Sequence, residues 1–160
     1  MDFNIMSLLL WLDEIAIISF GFIGGVYFAF SFFVMQSLNK ISHREAILTM
    51  NSINSVILKS PFMLLFFFSS FIAFIIFFEN LILHNIISNE GFASLIFLVG
   101  MFFCTAVKNV PLNDKLADFD FSDPSRNPEI EWSYYYKNWI KWNHIRTGAC
   151  FLSMVLLILK

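Results

Sequence analysis

The chain has 160 residues, of which 58% are hydrophobic and only 14% charged, and its formal net charge is −2. Charged residues make up about a quarter of an ordinary globular domain, so this composition excludes a typical soluble protein. The sequence has no basic run that would indicate nucleic-acid binding. We therefore expect a single all-α integral membrane domain over residues 1–160, with the lipid bilayer as its main partner.

Four apolar segments predict membrane-spanning helices, since about 20 apolar residues cross roughly 30 Å of hydrocarbon. They lie at about residues 15–35, 61–78, 92–108 and 140–159. Together they predict a multi-pass four-helix bundle with short amphipathic helices in its cytoplasmic connections. Cys104 and Cys150 lie within two of these segments, where we expect buried thiols rather than a disulfide.

The connections between the spans carry two local signals. Ser42 followed by Glu45 is a capping box, which predicts a helix that runs from there to about Leu58. Pro111 disfavours a helical conformation at the residue before it, so the third span should end there. A short helix should then run to Ala117.

Small residues recur at every fourth position of the first span, at Gly21, Gly25 and Ala29. This spacing lets two helix backbones approach closely. The stripe predicts either a packing groove inside the protomer or the contact face of a homo-oligomer, and spacing alone does not choose between them.

The basic residues predict the orientation, because Lys and Arg are enriched in cytoplasmic connections. Eight of the ten basic residues fall in the first and third connections. They are Lys40, Arg44, Lys59, Lys108, Lys115, Arg126, Lys137 and Lys141. Both termini should therefore lie outside, and in a bacterial cell the membrane would be the inner one.

The last span begins with a concentration of polar side chains. On a helix, Trp139, Asn143 and Arg146 share one face and His144 lies on the neighbouring one. An ionisable residue in a membrane helix usually faces the bundle interior or a water-filled cavity. The simpler alternative is that Trp139 and Trp142 are interfacial anchors and Arg146 snorkels to the surface.

The predicted topology brings four amides, Asn51, Asn54, Asn109 and Asn113, to the depth of this cluster. Because a guanidinium and an imidazole in a membrane helix need polar partners, we expect these groups to line one pocket at the cytoplasmic end. The aromatic residues 132–136 should form either a belt at headgroup level or a lid over that pocket.

Three sequence blocks occur in a characteristic order. They are residues 24–31 (GGVYFAFS) with Val34 and Met35, residues 109–116 (NVPLNDKL), and Trp139 with residues 142–147 (WNHIRT), and residues 50–54 (MNSIN) lie between the first two. In this order they resemble the anthrone oxygenase family of small four-helix membrane proteins, over nearly the whole chain.

The resemblance implies oxidation by O₂ of an anthrone-like or other phenolic or quinol molecule, a small apolar aromatic substrate, without an organic cofactor. His144 would act as the acid–base group, and its loss should lower the rate roughly 10²- to 10⁴-fold. Arg146, Asn143 and Asn109 would donate hydrogen bonds to developing negative charge. The candidate substrate-binding residues are Asn113, Asn51, Asn54, Trp142, Trp139 and Tyr27.

Two other functions remain open at this stage. A metal or haem could bind at His144, although His43 is the only other imidazole expected on that side and a structural zinc takes four ligands. No motif in the sequence requires a cofactor. A membrane carrier or assembly protein without catalytic activity is the other alternative.

Overall fold

A computed structural model describes residues 5–84 and 88–159, which are almost entirely helical and contain no strand. Seven α-helices and three π-helical segments follow one another in these residues. They are α1 (Ile5–Ala29), π1 (Phe30–Val34), α2 (Met35–Leu38), α3 (His43–Ile57), α4 (Pro61–His84), α5 (Asn89–Phe97), π2 (Leu98–Phe103), π3 (Thr105–Asn109), α6 (Val110–Ala117) and α7 (Pro128–Ile158).

Three helical stretches are long and apolar enough to cross a membrane, which supports a membrane protein. They are Trp11–Leu38, Pro61–Ile82 and Asn89–Ala117, and they contain the first three predicted spans. Helix α7 is not among them, because polar residues such as Lys141, Asn143 and Arg146 lower the hydropathy of the part that should enter the membrane. The fourth span and the orientation of the termini therefore remain predictions.

The long helices pack side by side around an apolar core. Helices α4 and α7 each pack against both α1 and α5. At the centre of this first core, Phe20 and Phe97 are fully buried and their rings stack with centroids 3.6 Å apart. A second core forms where α2, α3, α6 and the first half of α7 meet, around Trp132, Met50 and Leu116.

The two signals in the connections had different outcomes. The capping box is confirmed, because the Glu45 amide donates to Ser42 Oγ and the Ser42 amide donates to Glu45 Oε2, both at 3.3 Å. The prediction that Pro111 ends a helix is wrong, because the chain stays helical from Asn89 to Ala117. Pro111 lies in the first turn of α6, just after π3, where the N–H group that proline lacks is not needed.

The small residues of α1 that pack inside the protomer differ from those predicted. A Cβ atom on Gly24 would lie 3.0 Å from Cys150 Cβ, and one on Gly21 would lie 3.1 Å from Met154 Sδ, so both glycines lie against α7. Gly25 is exposed, and a Cβ atom there would have no neighbour within 4 Å. The packing groove therefore uses Gly21 and Gly24, and a homo-oligomer contact through Gly21, Gly25 and Ala29 remains a prediction.

Two side chains of the aromatic segment 132–136, Trp132 and Tyr135, are buried in the protein, and a role of this segment as a belt or a lid remains a prediction. Trp132 is fully buried and its Nε1 donates to Asn39 Oδ1 at 2.9 Å. Tyr135 is buried too, its hydroxyl donates to Asn113 Oδ1 at 2.9 Å, and burial raises the pKa of Tyr135. These two side chains belong to the second core, which fixes the start of α7 against α3 and α6.

Candidate active site

A cavity of about 250 Å³ lies between the two cores. Its walls come from α1, π1, α3, α4, π2, π3, α6 and α7, and most of its lining is aliphatic and aromatic. A few polar side chains converge on it, which is the usual composition of a small-molecule site. The polar residues that line it are Tyr27, Asn54, Thr105, Asn113 and Arg146.

Arg146 supplies the positive charge of this cavity and is only 4% exposed. Its guanidinium carbon lies 4.3 Å from the ring centroid of Tyr27 and 5.0 Å from that of Trp139, within the range of a cation–π contact. Its Nη2 donates to Asn143 Oδ1 at 2.6 Å and its Nη1 donates to Thr105 Oγ1 at 3.3 Å. Its Nε is buried without a hydrogen-bond partner.

No carboxylate balances this charge among the residues that the structure describes. The ionisable groups that act electrostatically on Arg146 are two phenols and two thiols, from Tyr27, Tyr135, Cys104 and Cys150. Buried charges are normally paired, because an uncompensated charge in a low-dielectric interior is costly. The cavity is therefore electrostatically suited to an anionic ligand.

A buried amide fixes the position of Arg146. Asn143 is fully buried, and its Nδ2 donates to the Tyr27 carbonyl oxygen at 2.7 Å and to Ser31 Oγ at 2.8 Å. Ser31 Oγ and Thr147 Oγ1 lie 3.1 Å apart. These bonds connect α7 to α1 and π1, and they direct the remaining acceptor of Asn143 at the guanidinium.

Two of the π-helical segments contribute to this arrangement. Ser31 lies in π1, and Thr105 and Asn109 lie in π3. Asn109 is buried, its Nδ2 donates to the Trp139 carbonyl oxygen at 3.3 Å, and its Oδ1 has no partner. Wide helical turns of this kind occur frequently at functional sites, and here they bring polar groups from two helices to α7.

Comparison with known proteins shows the family of this chain. A family model described as anthrone oxygenase matches residues 57–156. The chain belongs to the anthrone oxygenase family. The matched range includes Asn109 and Arg146, whereas the block at residues 24–31 lies before it. No curated protein and no solved structure matches the chain.

In this member of the anthrone oxygenase family, five of the ten predicted site residues meet at the cavity. Tyr27, Asn54, Asn113, Trp139 and Arg146 line the cavity. Asn143 and Asn109 are buried behind it, in contact with Arg146 and with the Trp139 backbone. Asn51 is directed elsewhere, since its Nδ2 donates to the Leu116 carbonyl oxygen at 3.2 Å.

The predicted place of His144 in this pocket is wrong. His144 is exposed, and its ring lies 5.6 Å from that of Phe32, centroid to centroid. Residues two apart are separated by about 200° around an α-helix, so Arg146 and His144 cannot both face the cavity. Trp142 also lies outside it, where Lys108 Nζ and Lys141 Nζ are 5.0 and 5.2 Å from its ring.

Thr105 is the polar cavity residue that sequence analysis missed. A lone threonine in an apolar segment gives no signal by itself, and its spacing of four residues from Asn109 was the available clue. Within the described ranges, no group of three or more His, Cys, Asp or Glu residues could hold a metal ion. The residues around the cavity instead offer a guanidinium, amides, a hydroxyl and a phenol.

Proposed function

We propose that this protein is a membrane-embedded oxygenase that oxidises an anthrone-like or other phenolic or quinol molecule with O₂ in the Arg146 cavity. Membership of the anthrone oxygenase family supports the reaction class. The observation that carries the proposal is the buried guanidinium with an unpartnered Nε at the wall of an apolar cavity. Such a group binds a ligand whose oxygen becomes negatively charged during the reaction.

The substrate would bind as its enolate or phenolate, with the charged oxygen at Arg146. A nearby positive charge favours the ionised form of an acid, so binding lowers the cost of removing the proton. Asn54 lines the same cavity, so its side-chain amide can donate a second hydrogen bond to the bound oxygen. Donors fixed before the reaction stabilise developing charge without reorganisation.

The redox step balances with O₂ as the oxidant. An anthrone anion and O₂, with one proton, give the anthraquinone and water. The methylene carbon opposite the carbonyl forms a new bond to one oxygen atom, and the other oxygen atom leaves as water with the two hydrogens lost by that carbon. The substrate carbon is oxidised by four electrons and O₂ is reduced by the same number. The role of the protein is to hold the anion and exclude bulk water.

A four-span topology would place this site near the cytoplasmic surface. In this arrangement α7 is the fourth span and both termini lie outside, as the distribution of basic residues suggests. Asn143 and Arg146 would then enter the membrane in contact with π1 and π3 rather than with lipid. Thiol labelling of a Ser122→Cys variant tests the orientation, and labelling of that site from outside intact cells would overturn it.

The proposed activity is tested by O₂ consumption with anthrone, using purified, chelator-treated protein in lipid nanodiscs and empty nanodiscs as the background. Arg146→Gln should lower the rate roughly 10²- to 10³-fold, as loss of a charge-stabilising donor does. The matched control is Lys108→Gln, which removes an exposed cation outside the cavity and should leave the rate unchanged. Equal rates in both variants would contradict the role of Arg146.

The same assay separates the two alternative functions. A rate that disappears with the chelator and returns with added metal would favour a metal site, and a visible absorption band of bound haem would favour haem. Binding of anthrone without O₂ consumption would favour a carrier.

A further inference from the structure

A second apolar hollow adjoins the active-site cavity. It has a volume of about 630 Å³ and lies in the seam between α4 and the α5–π2 stretch. Its walls are almost entirely aromatic and aliphatic, and they include Phe67, Ser70, Phe71, Phe78, Val99 and Phe102. The one polar residue among them, Ser70, donates its hydroxyl hydrogen to the Phe66 carbonyl oxygen at 2.7 Å. This hollow, the α4–α5 groove, can therefore hold hydrocarbon but no charged group.

The α4–α5 groove and the cavity share two aromatic side chains, Phe67 and Phe102, which line both. The groove opens to the outer surface of the helices, where Phe71 is 61% and Val99 is 56% exposed. In a membrane protein this surface faces lipid. Phe67 and Phe102, whose ring centroids lie 6.5 Å apart, thus form the shared wall between this groove and the cavity that holds the guanidinium of Arg146.

The cavity alone is small for an organic ligand. Ligand pockets usually enclose roughly 300–1,000 Å³, whereas the cavity at Arg146 has about 250 Å³. A ring whose charged oxygen contacts Arg146 therefore leaves little room in the cavity for a further substituent. The adjoining groove provides the space, and its aromatic walls suit an apolar extension.

On the basis of the proposed function, we propose that the substrate is an amphipathic phenol or quinol with an apolar tail. Its ring would bind at Arg146 and its tail would lie in the α4–α5 groove, so that it enters from the bilayer between α4 and α5. The groove follows α4 from Phe67 to Phe78, a length of about 16 Å at 1.5 Å per residue. This is about half of the roughly 30 Å hydrocarbon core, so the tail would lie beside the acyl chains of one leaflet.

The test compares two probes that share one ionised ring. They are 2-hydroxy-1,4-naphthoquinone and its 3-decyl derivative, and their binding to the protein in nanodiscs is measured by calorimetry. Val99→Trp fills the groove from its exposed side without touching the cavity. It should weaken binding of the decyl compound at least tenfold and leave binding of the tailless compound within twofold. The matched control is Leu64→Trp, on an exposed position of α4 that lines neither space, which should change neither affinity.

The variants also separate failure of the groove from failure of the proposed function. Arg146→Gln should abolish binding of both probes, because both present an anion to the cavity. If Arg146→Gln does so but Val99→Trp weakens neither probe or both equally, the tail does not occupy the groove and the Arg146 site stands. If Arg146→Gln leaves both affinities intact, the anion site itself is wrong. Displacement of the decyl compound by ordinary phospholipid in proportion to its concentration would show that the groove is only a lipid contact.

Discussion

The two faces of α7 lie in opposite environments, because one is buried in the protein and the other is exposed. Asn143 and Arg146 are buried on one face, where they meet π1, π3 and the cavity. His144, between them in sequence, is exposed on the other face and contacts Phe32. An imidazole is the side chain best suited to proton transfer near neutral pH, yet here the guanidinium faces the cavity. Arg146 therefore makes the cavity suited to an anion, and the position of a residue around α7 decides which side chain reaches the cavity.

The largest effect should come from placing a carboxylate on the buried face. In Asn143→Asp, an anionic oxygen would replace the Oδ1 atom that lies 2.6 Å from Arg146 Nη2, which supplies the missing counter-charge. O₂ consumption with anthrone should fall about 10²- to 10³-fold. Asn143→Ala, which adds no charge, should lose less activity, and Asn138→Asp on the outer surface of α7 should lose none. If the Asp and Ala variants are equally active, neutralisation of Arg146 is not what inhibits the site.

Substitution of glycines provides a second comparison between buried and exposed faces, and the quantity measured is the free energy of unfolding. A Cβ atom on Gly100 would lie 2.5 Å from Ala149 Cβ on the buried face of α7, so Gly100→Leu must force α7 away from π2. The free energy of unfolding should fall by about 1–3 kcal/mol in denaturant titrations in detergent. A Cβ atom on Gly148, on the exposed face of α7, or on Gly25 of α1 would have no neighbour within 4 Å, so leucine at either position is the control. Both should stay within about 0.5 kcal/mol of the parent protein.

A smaller effect is expected on the exposed face. His144→Ala should reduce O₂ consumption less than about threefold, because the imidazole does not line the cavity and a general acid–base group must reach the proton that it transfers. A loss of roughly 10²-fold or more, as the family resemblance implies, would contradict the difference between the two faces. It would return His144 to the reaction as an acid–base group. Initial rates in nanodiscs over a range of pH values distinguish the two outcomes.

The smallest effect is expected in α3, whose Met50 and Asn54 line the cavity. Hydrogen bonds from the Ser42 side chain and backbone lower the pKa of the Glu45 carboxyl. Because the pKa is lower in the folded state, the stabilisation is present above the usual glutamate pKa and is lost as pH falls through the depressed folded value. Amide exchange in α3 should therefore be slower in the parent protein than in Glu45→Gln at neutral pH, and the difference should vanish in acid. A difference that is constant with pH would exclude the ionised cap as its cause.

Sequence reasoning recovered the parts of the fold that depend on local spacing. Apolar periodicity located the helices, the capping box placed the start of α3, and a helical repeat put Trp139, Asn143 and Arg146 on one face. It failed at Pro111, where the outcome depends on the preceding helical turn, and at His144. Helix geometry excludes His144 and Arg146 from one face, and packing decides which of them faces the cavity. A proline can follow a π-helical turn without ending the helix, and no single sequence reveals which face of α7 meets its neighbours.

The side of α1 that meets α7 could not be read from spacing for a similar reason. Glycines at intervals of three and four residues both occur in residues 21–25, and either set can form a close contact. The choice depends on the side chains of the partner helix, here Cys150 and Met154. The buried face of α1 therefore depends on α7, a helix far from α1 in the chain.

The π-helical segments have a consequence for chain length. A π turn closes its hydrogen bond one residue later than an α turn, so it acts as a one-residue insertion that leaves the helix on either side in register. Deletion of Phe33 from π1 would let this stretch close as an ordinary α-helix while α1 and α2 keep their faces. The fold would tolerate the deletion, but Ser31 would lose the position that lets it accept from Asn143. We expect that insertion or deletion of one residue in these segments changes the polar contacts around the cavity and leaves the helices on either side intact. Such changes offer a route by which a helical bundle acquires or loses a site.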